Sequence, residues 1–160
     1  MKLAILNYSS IENEGMNNEL VDINFILNTI VNSIYIPEHI KVLVKQKLPT
    51  LKADATRMQQ LFQNLISNAV NYIDKEKGFV EVDYSETSEF YIFSIKDNGV
   101  GIPKEYHEKI FKMFSTLGNY EKASGIGLNI VKKVVELYKG KIWIESEVGI
   151  GSTFFFSIAK

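Results

Sequence analysis

Three asparagines at helical spacing, Asn64, Asn68 and Asn71, and one aspartate that closes an apolar run, Asp97, are the side chains whose type and position suggest chemistry. At about 100° per residue, Leu61, Phe62, Leu65, Ile66, Ala69, Val70, Tyr72 and Ile73 fill one half of a helix. The three asparagines share a narrow arc, with Asn68 at the seam between core and polar face. Asparagine is a mediocre helix former, so the stripe reads either as a solvated face or as a row of carboxamide oxygens lining a pocket. Mg²⁺ takes hard oxygen ligands, keeps several waters and shares its remaining positions with substrate phosphates. One amide oxygen plus a polyphosphate is therefore an adequate site.

Alternation places Tyr91, Phe93, Ile95 and Asp97 on one face of a strand and Phe90, Ile92, Ser94 and Lys96 on the other. Asp97 is thus in register with a core face, where a carboxylate is costly unless a donor meets it. No Arg or Lys of the segment lies on that face. Asn98-Gly99 is a strong hairpin signal by itself, yet Val100 to Pro103 leads toward a helix and not a returning strand. The alternative is that Gly99 and Gly101 let the backbone approach a flat ligand closely. Further on, Ser124, Gly125 and Gly127 stand directly ahead of a helix, where free amide groups and the helix dipole favour phosphate. Alone, that G-x-G is a weak signal. Neither a G-x-x-x-x-G-K-[ST] loop nor a G-x-G-x-x-G fingerprint occurs, which argues against P-loop and Rossmann nucleotide sites.

The elements that must position these residues are legible in outline. "ELVDIN" suits a short strand, and "NFILNTIVNSIY" has helical spacing until Pro37. "IKVLVKQ" is strand-like; Pro49 breaks the chain, and Asp54 is a good N-cap for the long helix "ATRMQQLFQNLISNAVNYI". "GFVEVDYSE" and "EFYIFSIKD" read as two strands joined around Thr87 and Ser88. "PKEYHEKIFKMF" is expected to be helical from its proline onward, and "GIGLNIVKKVVELYKG" a helix closed by Gly140. "KIWIESE" and "TFFFSIA" form an antiparallel pair. The expected fold is α+β: a two-layer α/β sandwich with a mixed, mostly antiparallel sheet of about five strands and about three helices on one face.

A chain of 160 residues with 46% hydrophobic and 23% charged residues suits one soluble domain with a real core. The absence of cysteine excludes disulfides and thiolate metal sites. A net charge of −1 offers no broad field for nucleic acid or an anionic membrane, so phosphate binding must come from local geometry. No stretch approaches the roughly 20 apolar residues of a membrane span, and the start lacks the features of a secretory signal. Cytoplasmic location, without direct membrane contact, is the expectation.

In combination and order, "NLISNAVNY", "DNGVGIP", "IFKMF" and "GIGLNIVKKVVELYKGKIWIESEVGIGSTFFFSI" resemble the N, G1, F and G2 boxes of the ATP-binding catalytic domain of sensor histidine kinases, within the Bergerat-fold (GHKL) ATPase superfamily. The match covers roughly residues 18–158. "LAILNYSSI" resembles the end of the second helix of the dimerisation and phosphoacceptor domain that precedes this module in the family. The resemblance implies residues 1–17 as a stub of that helix and its linker, and 18–160 as the catalytic domain.

It further implies that Asp97 receives the exocyclic amine of adenine, with Thr153 supporting the same base edge. Asn68 would ligate Mg²⁺, Asn64 would lie beside the phosphates, and both are the implied catalytic positions. Asn71 and Tyr72 would stand near the phosphates and the nucleoside. Gly99, Gly101 and Ile102 would wall the adenine side; Ser124, Gly125, Ile126, Gly127 and Leu128 would support the triphosphate. Phe111 and Phe114 match the F box and equally suit core aromatics, and residues 115–124 would be a mobile lid. Asn71 departs from the lysine or arginine of many relatives, Ala123 from a glycine, and Asn129 from a small residue; Lys122 either supplies the lost charge or is solvated.

The implied ligands are ATP and Mg²⁺, and the implied reaction is γ-phosphoryl transfer to a histidine on a separate acceptor domain, with a response regulator downstream. Hydrolytic relatives carry a glutamate at the position of Asn64; a carboxamide is no general base, so futile hydrolysis should be slow. His39 and His107 sit in no acceptor-like context and read as surface or structural residues. The full-length protein is expected to be a homodimer and this fragment a monomer. The alternatives are a GHKL-type ATPase or serine protein kinase, or a non-catalytic nucleotide-binding regulatory module.

Overall fold

The structure is a computed structural model and describes residues 17–111 and 125–160. Its strands are β1 (Glu19–Asp22), β2 (Ile40–Val44), β3 (Thr50–Ala53), β4 (Gly78–Glu86), β5 (Phe90–Asp97), β6 (Ile142–Glu147) and β7 (Gly151–Ala159). The α-helices among the described residues are α1 (Ile23–Ser33), α2 (Ala55–Asn71) and α3 (Gly125–Leu137). A five-stranded sheet runs β2-β4-β5-β7-β6, with β2 parallel to β4 and every other pairing antiparallel. This is the mixed α+β sandwich expected. No helix among the described residues is long and apolar enough to cross a membrane.

Alternation builds the sheet's inner face. Val80, Val82, Phe93, Ile95, Phe154, Phe156 and Ile158 are all buried, and α2 lays Met58, Leu61, Phe62, Leu65 and Ile66 over them, each fully buried. Phe62 meets Phe93 and Phe156 edge-to-face, at centroid distances of 5.3 and 5.2 Å. Such aromatic pairs add about 0.5–1.5 kcal/mol beyond the area they bury, so this trio fixes α2 over the sheet centre. Asp54 caps α2 as expected, its carboxylate accepting from the Arg57 N–H at 3.0 Å. Asp22 ends β1 and caps α1 directly, accepting from the Asn24 N–H at 2.9 Å.

Three local expectations are revised. Thr50–Ala53 is a strand, paired antiparallel with β1 in a separate two-stranded sheet. Four residues with only Leu51 and Ala53 buried leave a period too short to read. The segment after Pro103 is not an α-helix over its described part but two 3₁₀ turns, Lys104–Tyr106 and Lys109–Phe111. They break at His107, whose ring returns to the Ile102 carbonyl at 2.8 Å. Finally, the residue with positive φ at the end of α3 is Lys139 (φ 58°), not Gly140. Gly140 N–H bonds to the Val135 carbonyl and Lys139 N–H to that of Glu136, a Schellman closure with Lys139 in the left-handed place. Gly140 is required for another reason: a Cβ there would collide with the Ser157 carbonyl.

Candidate nucleotide site

The site is assembled where β5 ends against the C-terminus of α2. Asp97 lies on the inner face, 6% exposed, as alternation required. Its Oδ1 accepts the Gly99 N–H at 2.8 Å, and the Ser152 N–H also donates to the carboxylate. Burial pushes the Asp97 carboxyl up to about 6, while those two N–H groups and the Lys75 ammonium pull it down. The protein therefore supplies more donors than Asp97's own strand could, though too few to offset desolvation. Lys75, a residue the sequence reading did not single out, donates to the Gly99 carbonyl at 3.2 Å and pairs with Asp74 at 3.0 Å.

The turn after Asp97 is clasped by backbone on both sides. Val100 N–H donates to the Tyr72 carbonyl at 3.1 Å, and Gly149 N–H to the Val100 carbonyl at 2.8 Å. A Cβ on Gly99 would sit 2.5 Å from the Tyr72 carbonyl oxygen, and one on Gly101, at φ 76°, would strike the Glu147 carbonyl. These glycines answer first to neighbouring backbone, where the sequence suggested close approach to a ligand. Asn98 is likewise structural: its amide oxygen accepts the Phe79 N–H and its Nδ2 donates to the Lys77 carbonyl, both at 2.9 Å. Ile102 is buried, and its N–H donates to the Ser146 hydroxyl at 2.7 Å.

Strand register sets Thr153 on the other face from Asp97. Directly opposed residues of antiparallel strands share a face, and Asp97 opposes Ser152 while Thr153 opposes Lys96. Ser152, 6% exposed, therefore joins Asp97 on the inner face, its hydroxyl 2.7 Å from that of Ser146. Thr153 pairs on the outer face with Lys96 and Glu145, yet it lines, together with Asp97, Ser146 and Ser152, one shallow hollow of about 560 Å³ at the strand ends. Counting alternation back from Phe154, Phe156 and Ile158 would have found Ser152.

Along α2, Asn64 and Asn68 stand one turn apart, about 6 Å by helix rise. Asn68 is buried to 8% exposure and Asn64 is half-buried, its Nδ2 donating to the Gln60 carbonyl at 2.8 Å. Asn71 is exposed and Tyr72 half-buried. Gly125 and Gly127 fall inside the first turn of α3, not ahead of it, so their N–H groups are among those without an intrahelical acceptor. Leu128 is buried and Asn129 half-buried. Phe111 is buried edge-on to Phe154 at 6.2 Å, the core-aromatic role. Phe114, the proposed lid from 115 to 124 with Lys122, Ala123 and Ser124, and the opening segment 1–16 lie outside the described residues; the side chain of Ile126 is not described either.

The model of the family described as "Histidine kinase-, DNA gyrase B-, and HSP90-like ATPase" matches residues 53–160, which contain every candidate site residue from Asn64 to Thr153. The chain belongs to this family. Within it, the chain is an ATP-binding GHKL domain of the sensor histidine kinase type. It is similar to Cyanobacterial phytochrome A of Nostoc sp., 32% identical over 96% of this chain and 21% of that protein. It is also similar to the methanogenesis regulatory histidine kinase FilI of Methanothrix harundinacea, 34% identical over 74% of this chain and 14% of that protein. The chain thus spans about a fifth or less of these curated relatives. Among solved structures, full-length ShkA in complex with AMPPNP aligns with a TM-score of 0.82 at 26% identity, over 97% of this chain and 34% of that one. The catalytic domain of histidine kinase ThkA aligns with a TM-score of 0.72 at 27% identity, over 91% of this chain and 97% of that one.

Proposed function

We propose that this GHKL domain binds ATP with Mg²⁺ and donates the γ-phosphate to a histidine on a separate phosphoacceptor domain, in a two-component relay that passes to a response regulator. The observation that carries the reading is the buried carboxylate of Asp97, 6% exposed on the inner face with backbone donors and, among the described residues, no bidentate partner. Ionised, it accepts the adenine exocyclic amine, and the Ser152 hydroxyl beside it serves the same base edge. Gly99, Gly101 and Ile102 hold the wall behind the base, while Gly125 and Gly127 direct N–H groups of the α3 terminus to phosphate. In the same reading residues 1–17 carry the linker from the acceptor domain, the natural protein acts in the cytoplasm as a dimer, and this chain alone is a monomer.

Among the described residues no group of three or more His, Cys, Asp or Glu is placed to hold a metal. Asn68 offers one amide oxygen at the buried margin of α2, a donor set that suits a hard cation completing its shell with water and phosphate oxygens. Bound there, Mg²⁺ would neutralise charge on the β- and γ-phosphates. The chain's own residues position the nucleotide and withhold a general base from water, since Asn64, which donates one N–H to the Gln60 carbonyl, is a carboxamide and takes no proton at neutral pH. Titration with a fluorescent ATP analogue, with and without Mg²⁺, tests this. Saturable binding that tightens with Mg²⁺, and that Asp97→Asn weakens about 100-fold by opposing donor to donor, is expected. Absence of saturable binding by the parent chain would end the reading.

A further inference from the structure

The loop between α2 and β4 carries the charged run Asp74, Lys75, Glu76 and Lys77, of which Asp74, Glu76 and Lys77 are exposed. Lys75 is half-buried and turned back onto the fold. Its ammonium donates to the Gly99 carbonyl at 3.2 Å while it keeps Asp74 at 3.0 Å. The N–H of the same glycine donates to Asp97 Oδ1 at 2.8 Å. Because both bonds end on one residue, backbone dimensions hold the ammonium within about 10 Å of the buried carboxylate, a reach over which a part-buried charge is incompletely screened.

What this carboxyl can recognise depends on its charge. Ionised, it only accepts hydrogen bonds, and the exocyclic amine of adenine suits it. Protonated, it gains an O–H donor, which suits the ring carbonyl that hypoxanthine and guanine carry in place of that amine. Desolvation favours the protonated form, and the Gly99 and Ser152 N–H groups and the Lys75 ammonium oppose it. Of the other described charges, Asp74 pairs with Lys75, and Lys96, Glu145 and Glu147 line the hollow beside Asp97; the two glutamates oppose ionisation, and Lys96 points to the other face of β5. On the adenine reading of the site, on which this inference rests, we infer that Lys75 is a specificity-determining residue: its ammonium, anchored on Gly99, keeps the Asp97 carboxylate in the amine-accepting form and so selects adenine over the oxo-purines. Acting through Asp97, it is a positioning residue.

The ratio of ATP to ITP affinity, measured by competition against a fluorescent analogue between about pH 5 and pH 8, tests this. Both nucleotides carry the same triphosphate, so its own titration cancels in the ratio. In the parent chain the preference for ATP should fall as pH drops through about 6. Lys75→Gln keeps a donor for the Gly99 carbonyl and loses the charge; it should move that fall upward by roughly half a unit to one unit, allowing for the partial exposure of the pair, and leave the ratio at pH 8 within about twofold of the parent's. Lys75→Arg should restore the parent curve. Asp74→Asn, which removes the competing carboxylate, should move the fall downward. An unmoved fall in Lys75→Gln, or a ratio lowered by the same factor at every pH, overturns the assignment. A parent chain with no preference for ATP at any pH removes the adenine reading itself, whereas a parent preference that Lys75→Gln leaves unchanged removes the role of Lys75 alone.

Discussion

Asp97 holds its charge at a cost, and the cost has a sign. Its carboxyl titrates at about 6 in the fold against 3.8 for the free group, so between those values the folded chain binds more protons than the unfolded one. Stability contributed by the protonated form is complete below about pH 4 and is lost as pH rises through about 6, on the order of 3 kcal/mol in all. Asp97→Asn removes the buried charge, so above pH 7 it should melt at a higher temperature than the parent, with the gap closing toward pH 4. Thermal unfolding across that range checks it; a variant less stable than the parent at pH 8 would contradict the account. Nucleotide affinity should run the other way, falling below about pH 6 as the acceptor of the adenine amine becomes protonated. The burial of this residue was legible from the alternation of Tyr91, Phe93 and Ile95. Its donors, the Gly99 and Ser152 N–H groups, were not, nor was the nearby charge of Lys75, because turn geometry, strand pairing and a loop bring them there and a single strand's pattern encodes none of these.

Elements were readable where one period ran long enough to bury a face. The 17 residues of α2 and the nine of β7 did so, while β3 and the turns after Pro103 did not. The latter carry helix-forming residues, yet the His107 contact to Ile102 and the burial of Ile110 and Phe111 hold them in tighter turns. The close of α3 is the sharpest lesson: glycine marked the place, but pairing put a lysine in the left-handed position. Lys139→Gly should therefore stabilise the domain by about 1 kcal/mol, and Gly140→Ala should destabilise it by about 1–3 kcal/mol through the clash with the Ser157 carbonyl. Denaturant midpoints measure both, and a neutral Gly140→Ala would show that the approach of α3 to β7 is looser than described.

At the scale of the whole molecule, the helices cover one sheet face and the proposed nucleotide site is confined to one end of it. Of the chain's two histidines, His107 is engaged with the Ile102 carbonyl, and His39 is exposed before β2, at the sheet edge. Incubated alone with [γ-³²P]ATP, the chain should gain no acid-labile label over a period in which an added acceptor domain is labelled; rapid labelling of the chain itself would contradict the separation of donor and acceptor. The layer architecture was legible because it follows from periodicity, whereas the face of Thr153 required register. The claim on which all of this depends is that a buried carboxylate reads the adenine amine. Competition of ATP and ITP for the parent chain measures it most directly, since inosine replaces that amine with a carbonyl. ATP should bind at least about 100-fold more tightly, with the gap largely lost in Asp97→Asn. Equal affinity of the parent for the two nucleotides would contradict the account.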